Sequence, residues 1–377
     1  MSGGGARAAY QAGVLRAVAS MLPRRSPNPF RIICGTSAGA INAAGLACKA
    51  ERFDRAVLHL VRAWSRLHVR EVYRSNLQRA CGHMLRSLLS LLIGRERRAR
   101  PLALLDCSPL HSLLAGLIDF TGIHRSIEAG HLGALCVTAA SYTSGDSVSF
   151  FEGEEVLQPW QRSRRIGRRE RIGLNHVLAS CALPFAFPAV RVGNEHFGDG
   201  SMHQLAPISA ALHLGADRVF VIGVGSPALH SRAVPEPCEW PSLAQIAGHI
   251  LDAIFIDTLD ADLERLQRVN RTIELIPHVA SDDHSLPLRA VQTLVVRPSR
   301  PLDDLAAPYV AELPRSVRFM LRRAGVLQPN GGRILSYLLF EPGYCRRLVR
   351  LGFADAVARR DEIVAFLRAG LQCEAED

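Results

Sequence analysis

The sequence has 377 residues, 48% hydrophobic and 21% charged, with a net charge of +10. That balance excludes a disordered chain, and the length allows one large domain or two smaller ones. No run approaches the roughly eighteen apolar residues of a membrane span, and nine cysteines without ligand spacing exclude a zinc site and read as reduced thiols.

Lys49 is the sole lysine, so the positive charge is almost all arginine. A basic balance favours anionic partners. Gly3, Gly4 and Gly5 open a helix whose Val14, Leu15, Val18, Met21 and Leu22 are spaced for one buried face. Consecutive glycines at a helix start leave backbone N–H groups uncovered, able to hold a phosphate or an oxyanion. A nucleotide loop needs either Lys-Ser/Thr at its end or an acid about twenty positions on. Neither is present, and position 8 is alanine, so an oxyanion hole fits better. No apolar run precedes the glycines, and a strand that would deliver this loop is expected to be missing.

Residues 30–34 form a short apolar run, followed by Gly35-Thr36-Ser37-Ala38-Gly39 and the small-residue helical stretch 40–47. Strand, Gly-x-Ser-x-Gly, helix is the context of a nucleophile elbow. Gly35 and Gly39 remove side chains that would collide in so sharp a turn, and Ser37 stands at its tip. Residues 51–100 read as mostly helical, with the greasiest candidate at 84–93 and a basic connector at 95–100. Stretches 132–139 and 147–151 read as strands joined by a Ser144-Gly145-Asp146 turn. Residues 162–171 hold six arginines, either a solvated loop or a contact with an anionic surface.

Stretch 176–182 looks helical, and the proline-fixed loop 185–188 can wall a pocket. Residues 190–197 alternate as one strand leading into Gly198-Asp199-Gly200-Ser201. Helix 207–214 and the buried strand 218–224 support α/β layering with parallel strands. A long helix is expected over 243–269, a strand over 272–276, and helices over 309–323 and 345–367.

The glycine-rich start, the Gly-Thr-Ser-Ala-Gly turn and the late Asp-Gly together resemble the patatin-like phospholipase family. Residues 9–15, 179–184 and 187–188 resemble its connecting segments. The resemblance implies a three-layer α/β/α hydrolase with a mainly parallel central sheet. Its catalytic core would span 1–225, the remainder of the α/β core 226–300, and a helical C-terminal extension 301–377. It implies a Ser–Asp dyad, with Ser37 as nucleophile and Asp199 as base, supported by Gly35, Gly39 and Gly200. Backbone amides at Gly3, Gly4, Gly5 and Ala6, with Arg7 alongside, would form the oxyanion hole. The implied substrate is an acyl lipid, cleaved through an acyl-enzyme without metal or cofactor.

Ala8, Ser201 and the absent strand depart from the family's usual pattern. That leaves two other readings: a catalytically impaired lipid- or membrane-binding relative, and a Ser-His-Asp esterase using His203, His230, His278 or His284. The expectation is a cytoplasmic chain with peripheral membrane contact and no nucleic-acid partner. Its oligomeric state is open.

Overall fold

The computed structural model describes residues 1–74, 105–184, 186–202, 208–225, 246, 248–249, 258–275, 289–327 and 332–373. A 3-10 turn, Gly5–Ala8, runs into α1 (Ala9–Met21). Then come β1 (Ile32–Thr36), α2 (Ala38–Ala47), α3 (Phe53–Arg66) and the short α4 (Val69–Val72). After α5 (Ser108–Leu117) and α6 (Phe120–Glu128) follow β2 (Ala134–Ser141), β3 (Ser147–Gly153), β4 (Trp160–Arg162) and β5 (Arg165–Arg169). Helix α7 (Leu174–Ser180) precedes β6 (Val190–Val192) and β7 (Glu195–Asp199). The rest comprises α8 (Ser209–His213), β8 (Arg218–Ile222), α9 (Thr258–Leu275), β9 (Gln292–Val296), a 3-10 turn at Ala307–Glu312 and four helices. These are α10 (Arg315–Arg323), α11 (Gly332–Leu338), α12 (Pro342–Ala358) and α13 (Arg360–Cys373).

The architecture is mixed α/β, as the sequence implies. Its axis is β2, paired on both edges and buried at every residue because both faces of the sheet are covered there. One edge carries β3 antiparallel. The other is shared end to end. β1 runs parallel to β2 up to the pair Thr36–Thr138, and β7 takes over antiparallel from the pair Asp199–Ala139. β5 and β4 extend the sheet beyond β3, while β8 and β9 form a separate parallel pair.

Among the described residues β1 and β8 share no ladder. Met1 and Ser2 lie between them. The Thr36 N–H donates to the Met1 carbonyl at 3.3 Å, and the Ser2 N–H reaches the Ile222 carbonyl at 3.5 Å. Further along, the rings of Phe30 and Phe220 stack at 5.6 Å.

Helix α1 is buried on nearly every side, its alanines and glycine admitting neighbours all round. Helix α12 crosses it closely. A Cβ on Gly13 would sit 2.1 Å from the Val349 carbonyl oxygen, and one on Gly352 2.1 Å from that of Tyr10. The C-terminal helices thus share one hydrophobic core with the N-terminal half.

Three expectations change. Residues 190–197 are a hairpin, not one strand, because Gly193 takes a left-handed φ of 57° and turns the chain between β6 and β7. Residues 272–275 continue α9 instead of forming a strand. The Thr272 hydroxyl bonds back to the Arg268 carbonyl at 2.9 Å, so its β-branch is accommodated in the helix. The arginine run is half structural: Arg168 pairs with Glu195, Arg169 holds the carbonyls of residues 153–155 and 157, and Arg171 meets His124. The candidates at 84–93 and 95–100 lie outside the described residues.

Candidate active site

The site forms where β1 hands the edge of β2 to β7. Ser37 is the first residue beyond β1, whose last pair is Thr36–Thr138, and Asp199 is the last of β7, paired with Ala139, so the two strands end at neighbouring positions on β2. Local sequence permits the turn. A Cβ on Gly35 would lie 2.4 Å from the Gly39 carbonyl oxygen, and one on Gly39 2.5 Å from that of Met1. A Cβ on Gly200 would lie 2.0 Å from the Thr138 carbonyl oxygen, so only glycine lets the Asp-Gly loop cross β2 there.

Ser37 itself has φ 53° and ψ −130°, a left-handed conformation that costs a non-glycine residue about 1–3 kcal/mol. Its surroundings hold it there. The Ser37 N–H donates to Ser180 Oγ at 2.8 Å, and the Ser180 hydroxyl donates to the Thr138 carbonyl at 2.6 Å. Ser180 therefore ties the turn to β2. It sits inside the recognised segment 179–184, but nothing in the sequence alone marks it as a brace.

Asp199 is buried, and its N–H donates to the Ala182 carbonyl at 2.9 Å. Its Oδ1 accepts the Ser201 N–H at 2.9 Å, while Oδ2 takes no hydrogen bond of standard geometry. Burial raises the carboxyl pKa. The Ser37 hydroxyl and the Ser201 groups favour the ionised form and limit the rise to about 6. The serine and the carboxylate are close without being locked together, as is common before substrate tightens such a pair.

The glycine loop faces the same space. Gly5 and Ser37 both line one apolar pocket. Trp64, Leu113, Leu114 and Phe340 contribute its greasy wall, together with Phe187 from the loop expected to do so. Gly5 has φ 54°, and a Cβ on it would lie 2.3 Å from the Tyr337 carbonyl oxygen of α11. The amides of Gly4 and Gly5 donate to no acceptor among the described residues.

Arg7 does not turn into the pocket. Its side chain is buried against α11, with Nε donating to Ser336 Oγ at 2.8 Å and Nη1 to the Tyr337 hydroxyl at 3.0 Å. The guanidinium lies 3.9 Å from the centre of the Tyr337 ring. A second buried network braces the loop's other side. Trp64 Nε1 donates to Asn42 Oδ1 at 2.7 Å, and Asn42 Nδ2 donates to Gln11 Oε1 and the Ala8 carbonyl. Gln11 Nε2 in turn donates to the Ser2 carbonyl at 2.8 Å. Sequence reasoning missed Gln11, Asn42, Ser336 and Tyr337. Gln11 and Asn42 carry a weak signal, as polar residues on otherwise apolar helices; the α11 pair carries none. His203, His230, His278 and His284 lie outside the described residues.

The sequence has relatives. The chain is 28% identical over 217 residues to a cGAMP-activated phospholipase of Pseudomonas aeruginosa (strain BWHPSA011 / Pa011). The match covers 56% of this chain and 54% of that protein, so the chain spans about half the length of this relative. Residues 1–212, from the glycine loop through the elbow to beyond Asp199, match the family model described as patatin-like phospholipase. The chain belongs to the patatin-like phospholipase family, whose members are lipid hydrolases.

Proposed function

We propose that this chain hydrolyses carboxylic ester bonds of acyl lipids with Ser37 as nucleophile and Asp199 as general base. The observation that carries this reading is the handover on β2, where the strand leading into a strained serine and the strand ending in a buried carboxyl stop at neighbouring positions. Near neutral pH a carboxyl titrating at about 6 is mostly ionised, yet more basic than an exposed one.

In the reaction, Ser37 Oγ attacks the ester carbonyl carbon while its proton passes to Asp199. The carbonyl π pair moves onto oxygen, which the amides of Gly4 and Gly5 receive. Collapse of the tetrahedral adduct breaks the bond to the alcohol oxygen. That oxygen leaves with the proton from Asp199, and the acyl group stays on Ser37. Water then attacks the acyl-enzyme, giving its proton to Asp199. Collapse frees the fatty acid, and the proton returns to Ser37 Oγ. Arg7 contributes by holding the loop against α11, not by touching the oxyanion. The apolar pocket would take the acyl chain.

The test is fluorophosphonate labelling of the chain and of Ser37→Ala and Asp199→Asn, paired with fatty-acid release from phospholipid micelles. Labelling and release in the parent, lost in both variants, support the dyad. Unchanged release in Asp199→Asn, lost on replacing one of the four histidines, would sink it in favour of a triad. Release is measured with and without a cyclic dinucleotide, since the similar Pseudomonas protein is named for activation by one.

A further inference from the structure

Helix α10 presents a face that the described residues leave uncovered. Its inner side is apolar: Val317 and Leu321 are buried in the main core. Its outer side carries Arg315, Phe319, Arg322 and Arg323, which share one face at helical spacing and are all exposed. The helix holds four arginines in nine residues and no acidic residue. None of the four makes an ion pair with any described residue, in contrast to Arg168 and Arg297, which do. Phe319 stands among them, 56% exposed, the one phenylalanine so exposed among the described residues.

The Arg323 guanidinium lies 5.8 Å from the centre of the Phe319 ring, and the ring is still 56% exposed. Exposing a phenylalanine forgoes the burial that its side chain otherwise gains. Guanidinium groups present planar donor forks that match phosphate oxygens, and an aromatic side chain between them can sink beneath a headgroup layer. One ring is too few for the successive base stacking that single-stranded nucleic acid calls for.

We infer that the outer face of α10 docks on an anionic phospholipid surface, with Arg315, Arg322 and Arg323 on the headgroup phosphates and Phe319 inserted between them. The inference rests on the lipid-hydrolase reading only in its choice of a membrane as partner. The charge complementarity stands by itself. Juxtamembrane basic residues contribute about 1 kcal/mol each, or roughly fivefold in partitioning per arginine.

The experiment uses the full chain carrying Ser37→Ala, so that the lipid stays intact. Co-sedimentation is measured with phosphatidylcholine vesicles, with and without roughly one-third phosphatidylglycerol, at low and high salt. The expected result is salt-sensitive binding to the anionic vesicles alone. Arg322→Gln/Arg323→Gln should lower partitioning roughly 25-fold, and Phe319→Ala should lower it at high salt as well as low. The charge-matched control Arg162→Gln/Arg164→Gln, at the exposed β4–β5 turn, should change it less than about threefold. Absence of vesicle binding, or equal losses from both arginine pairs, would overturn the inference. So would α10-dependent binding of an oligonucleotide or polyglutamate in preference to vesicles.

Turnover of a soluble butyryl ester by the Ser37 enzyme separates the two readings. If turnover survives in the α10 variants while vesicle binding never appears, the docking surface is wrong and the hydrolase stands. If soluble turnover is absent from the parent both with and without a cyclic dinucleotide, the hydrolase reading fails whatever the vesicles show.

Discussion

Replacing Asp199 by asparagine should abolish the reaction and yet make the fold less sensitive to rising pH. The carboxyl is buried, and lifting it from its ordinary 3.8 to about 6 disfavours the ionised folded chain by about 3 kcal/mol. The pKa is raised on folding. The stability this group contributes is therefore fully present below 3.8 and is lost as pH rises through about 6. Asparagine stays neutral throughout, and its side-chain oxygen can still accept the Ser201 N–H. The stability of Asp199→Asn relative to the parent should then grow by about 1.5 kcal/mol between about pH 5 and about pH 8. Any penalty for fitting the amide is independent of pH and only offsets the curve. Urea unfolding followed by tryptophan fluorescence at several pH values on both chains measures this. A gap that stays flat over that range would show that the carboxyl is not desolvated as described, and would remove the basis for treating it as the base.

The same titration sets the acid limb of activity: kcat/KM on a soluble ester should fall about tenfold per pH unit below about 6. A limb centred near 4 would mean an unperturbed base. Ser336→Ala and Tyr337→Phe each remove a hydrogen bond from a buried guanidinium and should destabilise by about 1–3 kcal/mol. Because they loosen the glycine loop, kcat should drop while KM changes little; a KM effect alone would place Arg7 in substrate binding. Leu113→Trp narrows the pocket and should cut turnover of long-chain esters at least about tenfold, leaving butyryl esters within about threefold. Equal loss on both would show that the acyl chain lies elsewhere. Gly352→Ala drives a methyl into the Tyr10 carbonyl and should destabilise by about 1–3 kcal/mol. Gly116→Ala meets nothing within 4 Å and should stabilise α5 by up to about 1 kcal/mol, which chemical denaturation can check.

Much of the site was legible because its constraints are local. A serine that must stand on a sharp strand-to-helix turn needs glycines at fixed offsets, and Gly35, Ser37 and Gly39 show that in five consecutive letters. The glycine loop and Asp-Gly are of the same kind. The antiparallel pair at β2 and β3 was legible too, since Gly145 supplies the left-handed turn between two apolar runs.

What brings these pieces together is not local. Ser37 and Asp199 are 162 positions apart, and only the pairing of β1 and β7 on one edge of β2 makes the two strands end at neighbouring positions. Ser180, Ser336 and Tyr337 look like ordinary polar residues until the fold sets them against the Ser37 amide and the Arg7 guanidinium. Arg7 shows the limit from the other side: its place in the motif points to the oxyanion, and its packing against α11 points away. Residues 272–275 show it for secondary structure, where β-branching favoured a strand and the Thr272–Arg268 bond within a long helix prevailed. The sequence by itself determined which residues are candidates for the proposed chemistry, since turn sterics and side-chain chemistry act over a few positions. The tertiary structure alone decided how basic Asp199 becomes and what holds the loop, because desolvation and packing depend on groups far away along the chain.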